Sequence, residues 1–372
     1  MIVNIKLFIK SEEIDIGYVS LLRLNFMAKN NIEDWIKKKQ IQRQRMNPDS
    51  LFEGIKKGML SALSSGITLI ESKNEKSQTE ANALIQKCLP LSGKSIRIGI
   101  TGVPGVGKST FIESFGMLLI RKGYKVAVLA VDPSSSVSRG SILGDKTRMN
   151  ELSTEDNVFI RPSPAGDTLG GVARKTRESI LLCEAAGYDF ILIETVGVGQ
   201  SETVVKSMVD FFLLLMLSGA GDELQGIKKG IMEMADALVI TKADGDNKQK
   251  SKLAAREYKN ALHLFPANRN NWIPKVFTCS SVEKSNIDKV LDVIEDFRSH
   301  VNSNGSFQQN RREQDKKWLS ETLKELIISD FFMDAEMMVR LKDIEQQVIN
   351  GEMTSFHAAD ELYKNYINAR RV

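Results

Sequence analysis

The sequence predicts an α/β fold: a mostly parallel, doubly wound sheet with helical additions at both ends. Between residues 94 and 300, seven short apolar runs alternate with helical segments, the pattern of strands joined by crossover helices and covered on both faces. Polar, Gly- and Ser-rich motifs follow those runs, at the strand ends where such sheets bind ligands. Outside this stretch, apolar residues recur at helical spacing.

Taken in order, residues 1–46 form a poorly defined extension rich in Lys, Asn and Ile, with Lys37-Lys38-Lys39 and Arg43-Gln44-Arg45. A solvated face accounts for these charges more simply than a nucleic-acid arm, and Met27 and Met46 leave the translation start open. Residues 47–93 read as two or three helices. Pro48 and Asp49 suit a helix start, and Leu51, Ile55, Met59 and Leu63 continue the helical period. Gly66 and Ser72-Lys73-Asn74 are expected to break it, and Pro90-Leu91-Ser92-Gly93 is the expected hinge. Residues 94–302 form the central domain, with strands expected at 96–100, 126–131, 158–161, 190–194, 211–217, 237–241 and 275–279. Asn302-Ser303-Asn304-Gly305-Ser306 has the composition of a linker. Residues 307–372 form a charged helical arm with apolar stripes at Trp318, Leu323, Ile327 and Phe331, then Met338, Leu341, Ile344 and Val348. Such stripes need a partner surface, either the central domain or a second subunit.

At 372 residues the chain exceeds one average domain. Its 51 basic and 47 acidic side chains nearly balance, for a net charge of +4, which argues against nucleic acid or an anionic membrane as the main partner. The apolar run at 211–217 is far shorter than the roughly 20 residues that span a bilayer, and residues 1–10 lack a continuous signal-peptide core. Three cysteines, Cys88, Cys183 and Cys279, with no C-x-x-C spacing fit a reducing cytoplasm. Three histidines without metal-ligand spacing support neither a zinc site nor a Ser-His-Asp nucleophile.

Gly102-Val103-Pro104-Gly105-Val106-Gly107-Lys108-Ser109 is a complete G-x-x-x-x-G-K-S phosphate loop between an apolar run and a helical stretch. Its glycines let main-chain N–H groups turn toward phosphates, and the helix N-terminus adds partial positive charge. Lys108 would reach the β- and γ-phosphates and Ser109 would bind Mg²⁺. This is the signature of a nucleoside triphosphate site.

Thr241-Lys242-Ala243-Asp244 follows the sixth run and differs by one residue from the N-K-x-D signature of GTP-binding proteins. A carboxylate at Asp244 would pair with the N1–H and N2 donors of guanine, which adenine lacks, and the Lys242 stem would lie over the base. Thr241 keeps a hydroxyl where Asn has an amide, losing one hydrogen-bonding group. Thr278-Cys279-Ser280-Ser281 resembles the segment whose backbone supports the guanine O6, so Ser280 and Ser281 join the candidate site.

Glu194-Thr195-Val196-Gly197 stands where GTPases carry D-x-x-G, with Glu194 toward the metal shell and the Gly197 N–H toward the γ-phosphate. Val198 follows where Ras-like proteins place a water-orienting Gln, and Gln200 lies two residues on, so slow intrinsic hydrolysis is expected. The loop after the second run, Asp132-Pro133-Ser134-Ser135-Ser136 through Arg148, offers Asp132 and Asp145 as metal-shell oxygens and Arg139 and Arg148 as phosphate partners. The Gly-rich segment at 218–229 carries Gln225 and Lys228, which would reach a phosphate only after a rearrangement.

Together, segments 97–110, 131–135, 140–149, 161–164, 170–176, 194–202 and 219–228 resemble the methylmalonyl-CoA mutase-associated GTPases, often labelled MeaB or ArgK and in older descriptions transport-system kinases. The resemblance covers about residues 47–350. It implies a P-loop GTPase domain with N-terminal helices and a C-terminal helical dimerisation arm, hence a homodimer. It further implies a chaperone that couples GTP hydrolysis to loading and protecting adenosylcobalamin in methylmalonyl-CoA mutase. It places Lys108, Ser109 and Thr110 on phosphate and Mg²⁺, with Asp132, Asp145 and Glu194 around the metal. Lys242 and Asp244 fall on guanine, and the Gln225–Lys228 segment becomes a third switch. An ATP-dependent kinase of a transport system and a non-hydrolysing scaffold are the alternative functions.

Overall fold

A computed structural model describes residues 47–72, 74–131, 149–162, 169–195, 201–219, 229–263, 265 and 270–370. The seven predicted strands are all present: β1 (Ile96–Gly102), β2 (Val126–Val131), β3 (Val158–Arg161), β4 (Phe190–Thr195), β5 (Phe211–Met216), β6 (Ala237–Ile240) and β7 (Lys275–Thr278). They form one sheet in the order β3-β2-β4-β1-β5-β6-β7. Every pairing is parallel. The phosphate-loop strand β1 therefore lies at the centre, buried along its whole length.

Helices cover both faces, and the period of two along each strand decides which face a residue feeds. On one face Ile96, Ile98, Ile100, Val126 and Val128 pack with α4 (Lys108–Arg121) and with Leu291, Ile294 and Phe297 of a helix near the end of the domain. On the other, Ala127, Leu129, Ile191, Ile193 and Phe212 meet α5 (Leu169–Ala185) and the N-terminal helices α1 (Pro48–Lys56), α2 (Leu60–Glu71) and α3 (Glu75–Cys88). Asn47 caps α1, its side chain accepting from the Asp49 N–H at 2.9 Å ahead of Pro48 at the first turn. Between β4 and β5 lies α6 (Ser201–Lys206), and α7 (Lys229–Met234) precedes β6. The remaining helices are α8 (Lys248–Leu262), α9 (Ile287–Ser303), α10 (Ser306–Met333), α11 (Ala335–Ile349) and α12 (Ser355–Ala369).

Two sequence expectations are corrected. Gly66 does not break a helix: it lies inside α2, where a Cβ would come within 3.1–3.2 Å of Leu182, Ile55 and Leu84 side chains. The break is at Gly58, whose φ of 73° closes the turn between α1 and α2. The supposed linker at 302–306 is a two-residue junction, because α9 runs through Ser303 and α10 begins at Ser306 around Gly305 at φ 73°.

The arm is bolted to the domain at the amino ends of the strands. Arg311 on α10 makes two hydrogen bonds to the Asp210 carboxylate, at 2.9 and 2.7 Å, and donates to the Gly93 and Ser95 carbonyls. Gln314 donates to the Val209 carbonyl and the Trp318 indole to the Ser207 carbonyl. The Trp318 ring receives the guanidinium groups of Arg97 and Arg177 at 5.7 and 5.1 Å. Further along, Phe331, Leu341, Ile344 and Val348 share a small cluster with Leu362, whereas Leu319, Leu323, Leu326 and Ile327 are exposed. Among the described residues no helix is long and apolar enough to cross a membrane.

Candidate nucleotide-binding site

β1 ends in Gly102, at φ 155°, where a Cβ would stand 2.4 Å from the Leu215 carbonyl oxygen of β5. Only glycine fits where the loop leaves the sheet. Gly105 and Gly107 follow at φ 78° and 91°. A Cβ on Gly105 would meet nothing within 4 Å, and one on Gly107 only the Lys242 stem at 3.9 Å. The space before both glycines is open, so phosphate oxygens can approach the main chain closely. Gly107 then caps α4, whose 14 residues direct partial positive charge into that space. Val106 is buried and anchors the loop, whereas Thr110 is exposed.

Lys108 donates from Nζ to the Gly102 carbonyl at 2.9 Å, bridging the loop. Burial lowers the affinity of its ammonium for the proton, and the carboxylates of Glu194 and Glu202 oppose that effect. The Ser109 hydroxyl donates to Glu194 Oε1 at 3.3 Å. Register explains the meeting: Glu194, near the end of β4, lies opposite Ile100 of β1. Beside it, Thr195 donates to Thr101 between the same strands at 2.8 Å. A hydroxyl and a carboxylate so placed are hard oxygen donors of the kind Mg²⁺ takes. The cradle and this donor pair fit a Mg²⁺-bound polyphosphate.

The base-binding motif lies beside the loop. Thr241, buried at the end of β6, donates to the Val106 carbonyl at 2.8 Å. Its hydroxyl thus makes the tie to the phosphate loop that an Asn amide would make. Lys242 adopts φ 53°, a left-handed conformation uncommon for a non-glycine residue, and the Asn247 amide holds its carbonyl at 2.7 Å. This backbone turn brings the Lys242 stem toward Gly107. The Ser280 hydroxyl donates to Asp244 Oδ2 and accepts from the Glu283 N–H at 3.1 Å. Ser281 presents its carbonyl to Ser114 of α4 at 3.1 Å. Burial, with the Asp244 charge nearby, pushes the Cys279 thiol up to about 12, leaving it neutral between these serines and β7.

The structure brings together Gly102, Gly105, Val106, Gly107, Lys108, Ser109, Thr110 and Glu194 around the loop, with Thr241, Lys242, Asp244, Ser280 and Ser281 beside it. Asp132, Asp145, Gly197, Gln225 and Lys228, like Arg139, Arg148, Val198 and Gln200, lie outside the described residues. One group escaped sequence reasoning. Glu202 on α6 is only 2% exposed, a burial unusual for a glutamate. Its signal was a carboxylate soon after the E-T-V-G segment, but its burial goes with the packing of α6 on β1, where a Cβ on Gly99 would come within 2.9 Å of Val205.

The family model described as "Methylmalonyl Co-A mutase-associated GTPase MeaB" matches residues 63–336. A putative GTPase of Caulobacter vibrioides is 50% identical, covering 84% of this chain and 96% of its own length. GTPase ArgK of Escherichia coli is 48% identical over 78% of this chain and 89% of its own. The mitochondrial methylmalonic aciduria type A homolog of Mus musculus is 44% identical over 86% and 79%. Among solved structures, LAO/AO transport system kinase superposes with a TM-score of 0.68 at 38% identity, covering 86% of this chain and 97% of its own. The phosphate loop, the base motif beside it and these matches along most of the chain agree, and the protein belongs to the methylmalonyl-CoA mutase-associated GTPase (MeaB) family.

Proposed function

We propose that the protein binds GTP and GDP with Mg²⁺, hydrolyses GTP, and uses that cycle to assist adenosylcobalamin loading and protection in methylmalonyl-CoA mutase or a related mutase. The observation that carries the guanine reading is the continuous link from phosphate loop to base motif: Thr241 to Val106, and Asp244 to Ser280. It supports a carboxylate held for the two guanine donors at a fixed distance from the phosphates. The family description and the methylmalonic aciduria type A relative support the mutase as partner.

In this reading the main chain of Gly102, Gly105, Val106 and Gly107 cradles phosphate with Thr110, and Lys108 neutralises the β- and γ-phosphates. Ser109 and Glu194, with Asp132 and Asp145, hold the metal, which when bound would screen phosphate charge. Gly197 senses the γ-phosphate, and Gln225 and Lys228 complete the site once a partner is bound. Lys242 and Asp244 hold the base. The exposed stripe Leu319, Leu323, Leu326 and Ile327 supports a homodimer through α10, in the cytoplasm.

The test is single-turnover GTP hydrolysis with and without an adenosylcobalamin-dependent mutase, with ATP as competitor. GTP alone should be turned over, slowly by the free protein and faster with the mutase. Equal competition by ATP would favour the transport-kinase reading instead, and no mutase stimulation, or full stimulation in Lys228→Ala, would remove the proposed coupling. Light scattering should report a dimer for the full chain and a monomer for Leu323→Asp/Ile327→Asp.

A further inference from the structure

The ladder between β5 and β6 ends at the pair Met216 and Ile240. Beyond it, Asn247 joins the two chains again. Its Nδ2 donates to the Lys242 carbonyl at 2.7 Å, and its Oδ1 accepts from the Ser218 hydroxyl at 2.7 Å. A carbonyl can only accept, so Lys242 fixes which end of the amide faces it, and Ser218 must then be the donor on the other side. The Asn247 N–H also donates to the Asp244 carbonyl at 2.9 Å. Both base-motif residues are thus held through their main chain by a single neighbour. Asparagine is a favoured helix cap, yet among the described residues this side chain makes no capping hydrogen bond to α8, which it precedes. It serves the turn instead. Lys242 sits there at φ 53°, a region that residues with a side chain enter at a cost.

We propose that Asn247 is a positioning residue for the base: it fixes the turn that carries Lys242 and Asp244, and Ser218 orients its amide, so that the end of β5 helps to set guanine specificity. The Lys242 stem lies toward the phosphate loop, its Cε 3.9 Å from where a Cβ on Gly107 would stand. A return of φ at Lys242 to negative values would redirect that stem, and Asp244, two residues on, would move with the same turn. Thr241 ties the first residue of the motif to the phosphate loop, whereas Asn247 governs the two that meet the base. Neither Asn247 nor Ser218 has to touch the nucleotide. This rests on the guanine reading of Lys242 and Asp244.

The experiment measures equilibrium binding of GDP, a non-hydrolysable GTP analogue and inosine diphosphate, all with Mg²⁺, to the full chain and to Asn247→Ala, Ser218→Ala and the double variant. Asn247→Ala should weaken GDP and the analogue by the same factor, about 3- to 12-fold, the range for one uncharged hydrogen bond. Inosine diphosphate lacks the N2 donor that Asp244 would meet, so it should weaken less, and the preference for GDP over it should fall about 2- to 5-fold. Ser218→Ala leaves the Lys242 contact in place and should shift the same preference in the same direction by a smaller factor. Once Asn247 is gone, losing Ser218 as well should add nothing. An unchanged preference in both single variants would mean a merely structural role, and selective weakening of the analogue would mean an effect on the γ-phosphate; either overturns the proposal. Additive effects of the two changes overturn the part given to Ser218. If the unmodified protein binds GDP no better than inosine diphosphate, the guanine reading itself falls; an intact preference that the variants do not move removes this inference alone.

Discussion

The two ends of the sheet use buried charge in opposite ways. At the amino ends of β1 and β5, charges are closed upon one another: Arg311 pairs with Asp210 and Arg97 with Glu184, at 2.7–3.0 Å and nearly out of solvent. At the carboxyl ends they are left with capacity to spare. Among the described residues, Lys108 rests on a main-chain carbonyl, Glu202 keeps an oxygen without a donor, and Asp244 receives one serine. Burying a matched pair costs little beyond its desolvation, whereas a group short of partners is kept at the expense of stability. The contrast separates the end that holds the molecule together from the end that binds something.

Substitutions at the two ends should therefore fail differently. Arg311→Ala leaves Asp210 buried and unpaired, and unfolding in urea should show a loss of about 3–5 kcal/mol, with nucleotide affinity retained below the transition. A loss below about 1 kcal/mol would mean that the pair behaves as a surface one and would dissolve the contrast. Lys108→Ala should do the reverse. Triphosphate affinity should fall about 10- to 100-fold, the worth of one charged hydrogen bond, with the melting temperature of the nucleotide-free protein unchanged or raised.

The base motif gives finer tests. Asp244→Asn should weaken GDP by about 1.5–3 kcal/mol and favour a xanthosine nucleotide, read by competition binding. Thr241→Val should cost about 1 kcal/mol in GDP affinity, because it removes the hydroxyl that joins the base motif to Val106. Unchanged affinity in Thr241→Val would mean that the phosphate loop holds its shape without that tie.

Much of this contrast was legible in the sequence, and unevenly so. The seven strands showed because buried parallel strands read as short apolar runs, correct here to within two residues at each end. The phosphate loop and the base motif showed because their chemistry is local: glycines at fixed offsets, a Lys-Ser pair, a carboxylate after a strand. The Arg311 network did not show. Its members stand 101 to 218 positions apart, and an arginine on a charged helix looks like any solvated one. Gly66 misled for the same reason, since what makes it necessary is the side chains of three other helices. Glu202 was hidden by the approach of α6 to Gly99, a matter of packing.

The anchoring of α10 also bears on how the chain can change over time. Arg311, Gln314 and Trp318 deliver hydrogen bonds to the carbonyls of Gly93, Ser95, Val209 and Ser207, and a carbonyl is offered by every amino acid. Drift at those four positions is restrained by local shape, not by the identity of a partner group. The donors on α10 have no such freedom, since each must supply its own N–H. Variation across the joint should be lopsided, with the arm's residues held and Ser95, Ser207 and Val209 freer to vary, while Gly93 is kept by its φ of 92°. Asp210 is the exception on the domain side, since it must keep the carboxylate that meets Arg311.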